Sequence, residues 1–306
     1  MTSSSVDPRN HSESILLTDR QFRLPNANGS RISLHNIDCL KGLDALEDGS
    51  VDVIVTSPPY NLGIDYGAYD DSIPRTDYLS WLNSVFVKLN DKLSDDGSFF
   101  LNVGSSPSSP WGPFEVVMSI RNLFSLQNVI HWIKSIYVEN ESYGHKQSMN
   151  VGHYKPINSN RFVNDTHEYV FHFTKSGKVA IDRLAIGVPY KDTGNITRWK
   201  EGSSGIRCRG NCWYIPYSTI KSRTLERPHP ASFPPELAEM SIRLHGVSKK
   251  STLVLDPFMG IGNTAIACAR LGVNCTGFEI DPEYFSTSIR LLNELSDRRQ
   301  SSSSVD

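Results

Sequence analysis

The stretch TLVLDPFMGIGNTAIACARLGVNCTGFEID, residues 252–281, limits the possible folds more than any other part of the chain. An apolar β-like run, Leu253–Asp256, ends at Asp-Pro, and a turn with Gly260 and Gly262 follows. A helical run, Thr264–Leu271, stops at Gly272, and a second β-like run, Asn274–Glu279, ends on an acid. Strand, turn, helix and strand in this order make a βαβ unit, whose two strands lie parallel in one sheet. The glycines allow a tight turn and a close backbone approach to a ligand. Glu279, 23 residues after Asp256, stands where a carboxylate can accept both hydrogen bonds of a ribose diol. The ligand stays open at this point. Gly260–Ala265 also fits the G-x-G-x-x-A form used for NAD, and an ordinary βα turn beside a surface acid has the same spelling.

The rest of the chain alternates short apolar runs with helical spacing, the pattern of a mostly parallel α/β sheet. Strands are expected at Val51–Thr56, Ser98–Val103, Val129–Lys134 and Tyr169–Thr174. Helices are expected at Tyr78–Leu93 and at Glu236–His245, which follows Pro234-Pro235 and stops at Gly246. A hydrophobic fraction of 38% over 306 residues supports a globular chain, and no apolar run approaches the roughly 18 residues of a membrane span. The N-terminus lacks the order of a secretory signal, and five scattered cysteines suit a reducing compartment, so a cytoplasmic protein is expected.

A second motif carries chemistry. VDVIVTSPPYN reads as a buried strand that leaves the core through Ser57-Pro58-Pro59-Tyr60. Two prolines hold a stiff extended turn and keep the Ser57 and Pro58 carbonyls out of any following helix. With the serine hydroxyl and the aromatic face of Tyr60, they form a site for an exocyclic amine on a heteroaromatic ring. Such an amine is a poor nucleophile. Accepting its hydrogens aims the lone pair at an electrophile. Alternatively, this is a proline-rich loop with a structural serine.

Together, TSPPYN and DPFMGIGNT resemble the β-class amino-methyltransferases of DNA, which methylate cytosine N4 or adenine N6 with S-adenosylmethionine. The target motif of that family, (S/N/D)-P-P-(Y/F/W), corresponds to Ser57–Tyr60, and its F-x-G-x-G loop to Phe258–Gly262. NIDCLKGLDAL, LSDDGSFFLNVG, HWIKS, NDTHEYVFHFTKSG and HPASFPPELAEMSIRLHG resemble its intervening segments, so that roughly residues 30–295 are covered. The resemblance implies a Rossmann-like sheet of the class I methyltransferase type, circularly permuted, with an inserted target-recognition region. It implies catalytic roles for Ser57, Pro58, Pro59 and Tyr60. On the cofactor side it implies Asp38, Asp256, Phe258 and Gly260, together with Gly262, Asn263, Thr264 and Glu279. His167-Glu168 matches a family strand and is expected to be architectural. Serine at the first motif position is similar to the cytosine-N4 enzymes, with adenine N6 as the alternative. A C5 enzyme would need a Pro-Cys nucleophile, and no cysteine follows a proline here.

Residues 176–226 lack clear periodicity, and Lys191–Arg227 holds eight Lys/Arg against three Asp/Glu, interleaved with Trp199, Trp213, Tyr214 and Tyr217. This region is expected to contact double-stranded DNA through Arg198, Arg207, Arg209 and Arg223. Cys208 and Cys212 lack a second ligand pair nearby, so no metal is expected. The expected division is a disordered tail at 1–14, the catalytic half at 15–175, target recognition at 176–226, the cofactor-binding half at 227–296 and a disordered tail at 297–306. A partner restriction endonuclease, a prokaryotic host and a monomer or homodimer complete the expectation.

Overall fold

The strands do not lie in space in the order in which the chain makes them. A computed structural model describes residues 21–25, 29–63, 69–139, 148–152, 157–191, 205–216, 232–247 and 251–303. Its strands include β1 (Gln21–Pro25), β2 (Arg31–Asn36), β3 (Val51–Thr56), β4 (Leu93–Val103) and β5 (Ser125–Ile133). A small hairpin of β6 (Ser135–Val138) and β7 (Met149–Gly152) follows, then β8 (His167–Thr174). A two-residue ladder joins β9 (Val188–Pro189) to β10 (Ile206–Arg207). Last come β11 (Cys212–Tyr214), β12 (Leu253–Asp256) and β13 (Asn274–Glu279).

Nine of these form one sheet in the order β1-β2-β13-β12-β3-β4-β8-β5-β11. The run β2, β13, β12, β3 and β4 is parallel, and β8 lies antiparallel between β4 and β5. The glycine-turn strand β12 is therefore central although it is nearly last in sequence, as a circular permutation requires. From β12 the chain passes through α5 (Asn263–Leu271) to β13 on one side. From β3 it passes through α2 (Arg75–Lys92) to β4 on the other. Strands that diverge in this way open a crevice at their carboxyl ends, where α/β sheets bind ligands. Both sequence motifs leave from that crevice.

Alternation along the strands feeds two cores. Val53, Val55, Phe100 and Val170 face one side, under α4 (Pro235–His245), α5 and α6 (Pro282–Ser303). Ile54, Phe99, Leu101 and Phe171 face the other, under α1 (Cys39–Asp44), α2 and α3 (Gly112–Ser119). The sheet is thus buried on both faces, and its central strands read as continuous apolar runs.

Two details add to the expected division. Part of the 176–226 region belongs to the sheet: β11 pairs with β5 and places Trp213 at 0% exposure in the first core. A three-residue strand is too short to show alternation, so its tryptophan reads in sequence as one more aromatic among basic residues. At the C-terminus α6 continues to Ser303, so a tail beginning at 297 starts too early.

Candidate active site

Asp256 ends β12 wholly inside the protein. Thr56 and Thr264 each donate a hydroxyl to its carboxylate at 2.6 Å, and the Phe258 amide donates at 3.1 Å. Burial pushes its carboxyl up to about 6, against the pull of those hydrogen bonds. Asp256 and Thr264 were expected to meet the cofactor. In the structure they tie β3, β12 and α5 together.

The two glycines divide the work. Gly260, at φ 56°, turns its amide onto Glu279 at 2.7 Å. Gly262, at φ 85°, caps α5 and lies where a Cβ would sit 2.8 Å from Ser288 on α6. Its constraint is helix packing as well as backbone handedness. Glu279 accepts the Asp281 amide through its other oxygen at 2.9 Å, and burial pushes its carboxyl up to about 7. Both oxygens keep acceptor capacity for further donors.

The proline turn is braced from several elements. Tyr78 on α2 donates its hydroxyl to the Pro59 carbonyl at 2.7 Å, and Arg75 reaches the Tyr60 carbonyl at 3.4 Å. Asn61 takes the left-handed φ of 57°, and buried Asp71 accepts its amide at 2.8 Å and that of Leu62 at 2.9 Å. Behind the turn lies a polar cluster. The Tyr60 hydroxyl is 2.9 Å from the Ser57 hydroxyl and donates to Glu168 at 3.1 Å. Asn102 donates to Tyr60 at 2.9 Å and to Glu168 at 2.7 Å, and Lys134 pairs with the other Glu168 oxygen.

The two turns meet across one cavity of about 140 Å³. Ser57 and Pro59 line it from one side, and Phe258, Gly260, Asn263 and Glu279 from the other, with Asp38 beside them. Asp38 also caps α1, accepting the Leu40 amide at 3.0 Å. Asn263 is oriented by donating to the Phe233 carbonyl at 2.6 Å. Pro58, Tyr60, Asp256, Gly262 and Thr264 lie outside the lining. Of the proposed DNA contacts, Arg207 is exposed and bonds the Cys208 carbonyl, whereas the Arg209 guanidinium is held by the Ile186 carbonyl at 2.9 Å. Arg198 and Arg223 lie outside the described residues.

Sequence reading missed the aromatic wall of Tyr69, Trp81 and Tyr284, and the acid Asp281. Trp81 packs 5.7 Å from Phe258 and 5.4 Å from Tyr69. Its sole sequence signal is a tryptophan on an otherwise mixed helix. Asp281 follows Glu279 by two residues, and this second acid after the strand was visible but unused.

A sequence profile described as DNA methylase, of the N6/N4 group, matches residues 51–290. The chain belongs to this DNA methylase family. It is 27% identical to the type II methyltransferase M1.MboII of Moraxella bovis, over 86% of this chain and 96% of the relative. It is also 27% identical to type II methyltransferase M.Cfr9I of Citrobacter freundii, over 93% and 95% respectively. Among solved structures, the PvuII DNA methyltransferase (cytosine-N4-specific) superposes with a TM-score of 0.61 at 22% identity, covering 84% of this chain and 85% of that one. A DNA modification methylase of Thermus thermophilus, solved in complex with S-adenosyl-L-methionine, gives 0.54 at 24%, covering 83% and 90%. These likenesses establish the class I methyltransferase architecture of the methylase.

Proposed function

We propose that this methylase is a site-specific type II DNA methyltransferase that transfers a methyl group from S-adenosylmethionine to cytosine N4. The observation that carries the reading is the meeting of Ser57 and Pro59 with Gly260 and Glu279 in one cavity, although about two hundred residues separate them in sequence. The cavity suits the donor. It combines apolar walls (Trp81, Phe258, Phe278, Ile280) for a purine with carboxylates, Glu279 and Asp281, for ribose hydroxyls. When bound, S-adenosylmethionine supplies a methyl group on a positively charged sulfur.

The chain's own residues position the acceptor. A base extruded from the duplex, at a cost of a few kcal/mol, brings its amine to Ser57 and the Pro58 carbonyl. Both accept its N–H groups, so nitrogen rehybridises and its lone pair is aimed; as the N–C bond forms and the methyl–sulfur bond breaks, one amine proton leaves to solvent or Ser57. Tyr60 offers its ring to the base, while its hydroxyl is anchored on Glu168. Serine at the first motif position supports cytosine through its resemblance to the cytosine-N4 enzymes; adenine, with N1 beside N6, presents a similar edge and is the alternative. Arg207 and the basic segment around it contact DNA, and a partner endonuclease recognises the same sequence.

Unmethylated DNA treated with the protein and S-adenosylmethionine, then digested to nucleosides and weighed, should yield N4-methylcytosine. N6-methyladenine alone would move the assignment to the adenine enzymes. No methylated nucleoside at all would remove the proposal.

A further inference from the structure

The cluster behind the proline turn has a direction, set by counting donors and acceptors. Tyr60 carries one hydroxyl hydrogen, and the Glu168 carboxylate, an acceptor only, takes it at 3.1 Å. The Asn102 carbonyl lies farther, at 3.4 Å. The Tyr60 oxygen is then left to accept, and Asn102 and Ser57 are its donors at 2.9 Å each. Ser57 thus spends its single hydrogen on Tyr60. What it turns toward the cavity is lone pairs.

We propose that Glu168 is a positioning residue that, through Tyr60, holds Ser57 as a hydrogen-bond acceptor for the target amine, with Lys134 as its charge partner. The inference rests on the amine-methylation reading and holds for cytosine or adenine alike. Position supports it: Glu168 lies on β8 beside β4, and Gly104 just past β4 leaves it room. A Cβ at Gly104 would stand 3.0 Å from the Glu168 carboxyl and 3.1 Å from the Tyr60 ring. Lys134, at the end of β5, reaches the same carboxylate, so three sheet segments converge on one hydroxyl. Burial pushes Glu168 upward, but Lys134, Asn102 and Tyr60 more than reverse this and hold it below its ordinary value. Among the described residues, the other titratable groups nearby include His167, Asp165 and Tyr169 on the same segment, and His131 on β5, packed 5.5 Å from His167.

The test is single-turnover methyl transfer to unmethylated genomic DNA, with cofactor affinity measured separately by calorimetry. Glu168→Gln, which keeps the shape and removes the charge, should slow transfer roughly 10- to 100-fold, with S-adenosylmethionine affinity within about twofold of wild type. Lys134→Gln removes the strongest opposition to burial and leaves only the Asn102 and Tyr60 hydrogen bonds. The acid limb of its rate profile should therefore move up by about one pH unit, a shift that a purely structural role would not produce. Should Glu168→Gln fold poorly, Tyr60→Phe breaks the same chain with little change in packing and should slow transfer to a similar extent. Wild-type rates in Glu168→Gln or Tyr60→Phe, or an unmoved acid limb in Lys134→Gln, would overturn the inference. Absence of transfer by the unaltered chain would instead overturn the amine-methylation reading beneath it.

Discussion

The glycine turn and the proline turn face each other across one cavity, yet they are supported differently. Around the glycine turn most supports are local: Asp256 holds Thr264 eight residues away, and Glu279 holds Gly260 nineteen away. Around the proline turn the backbone is held locally as well, by Asp71 ten residues from Asn61 and by Tyr78 nineteen from Pro59, but the tyrosine side chain is held from afar. Tyr60 meets Asn102 across 42 residues and Glu168 across 108. The nucleoside side therefore rests largely on one βαβ unit, while the amine side exists only once the sheet is assembled. The hydrogen bond from Thr56 to Asp256, across 200 residues, joins the two.

The sharpest test of the contrast is Ser57→Ala. If the turns are separable, methyl transfer should fall roughly 100- to 1000-fold while cofactor affinity, measured by calorimetry, stays within about twofold. An equal loss of both would erase the distinction. Next is the bond between the turns. Asp256→Ala strands three donors inside the protein and should cost about 3 kcal/mol in urea unfolding, with Asp256→Asn costing about half as much. The sign of its pH dependence follows from the raised carboxyl. The folded value of about 6 exceeds the ordinary 3.8, so the stability from this group is present below the lower figure and lost as pH rises through about 6. Asp256→Asn should flatten that slope.

The smallest effect concerns the cofactor side alone. Glu279 is raised to about 7, and ribose hydroxyls donate best to its ionised form. Affinity for S-adenosylmethionine should weaken roughly tenfold per pH unit below about 7, and Glu279→Gln should remove that slope. A pH-independent affinity in the unaltered chain would show that this acid does not meet the ribose.

The same contrast explains what the sequence disclosed. Val51–Thr56, Leu253–Asp256 and Asn274–Glu279 were legible to the residue, because apolar runs bounded by turn residues define buried parallel strands. The cavity residues Phe258, Gly260 and Glu279 were legible for the same local reason. Asp256 was placed at the end of its strand, but its bond to Thr56 cannot be guessed from spacing. Glu168 was read as architecture, and its contacts with Tyr60, Asn102 and Lys134 could not be read in sequence, since only sheet pairing brings them together. Trp213 misled in the opposite direction: its neighbours are basic, but its surroundings are core.

The sheet order also bears on how such a protein is born. Strands β12 and β13 occupy the middle of the sheet but leave the ribosome after their flanking partners β2 and β3. The nascent chain must therefore keep a slot open between strands already made, rather than zip from one edge. Until that slot is filled, Thr56 has no Asp256 to grip and the cavity has one wall. A half-synthesised methylase is in this way unable to bring a methyl donor and a base together.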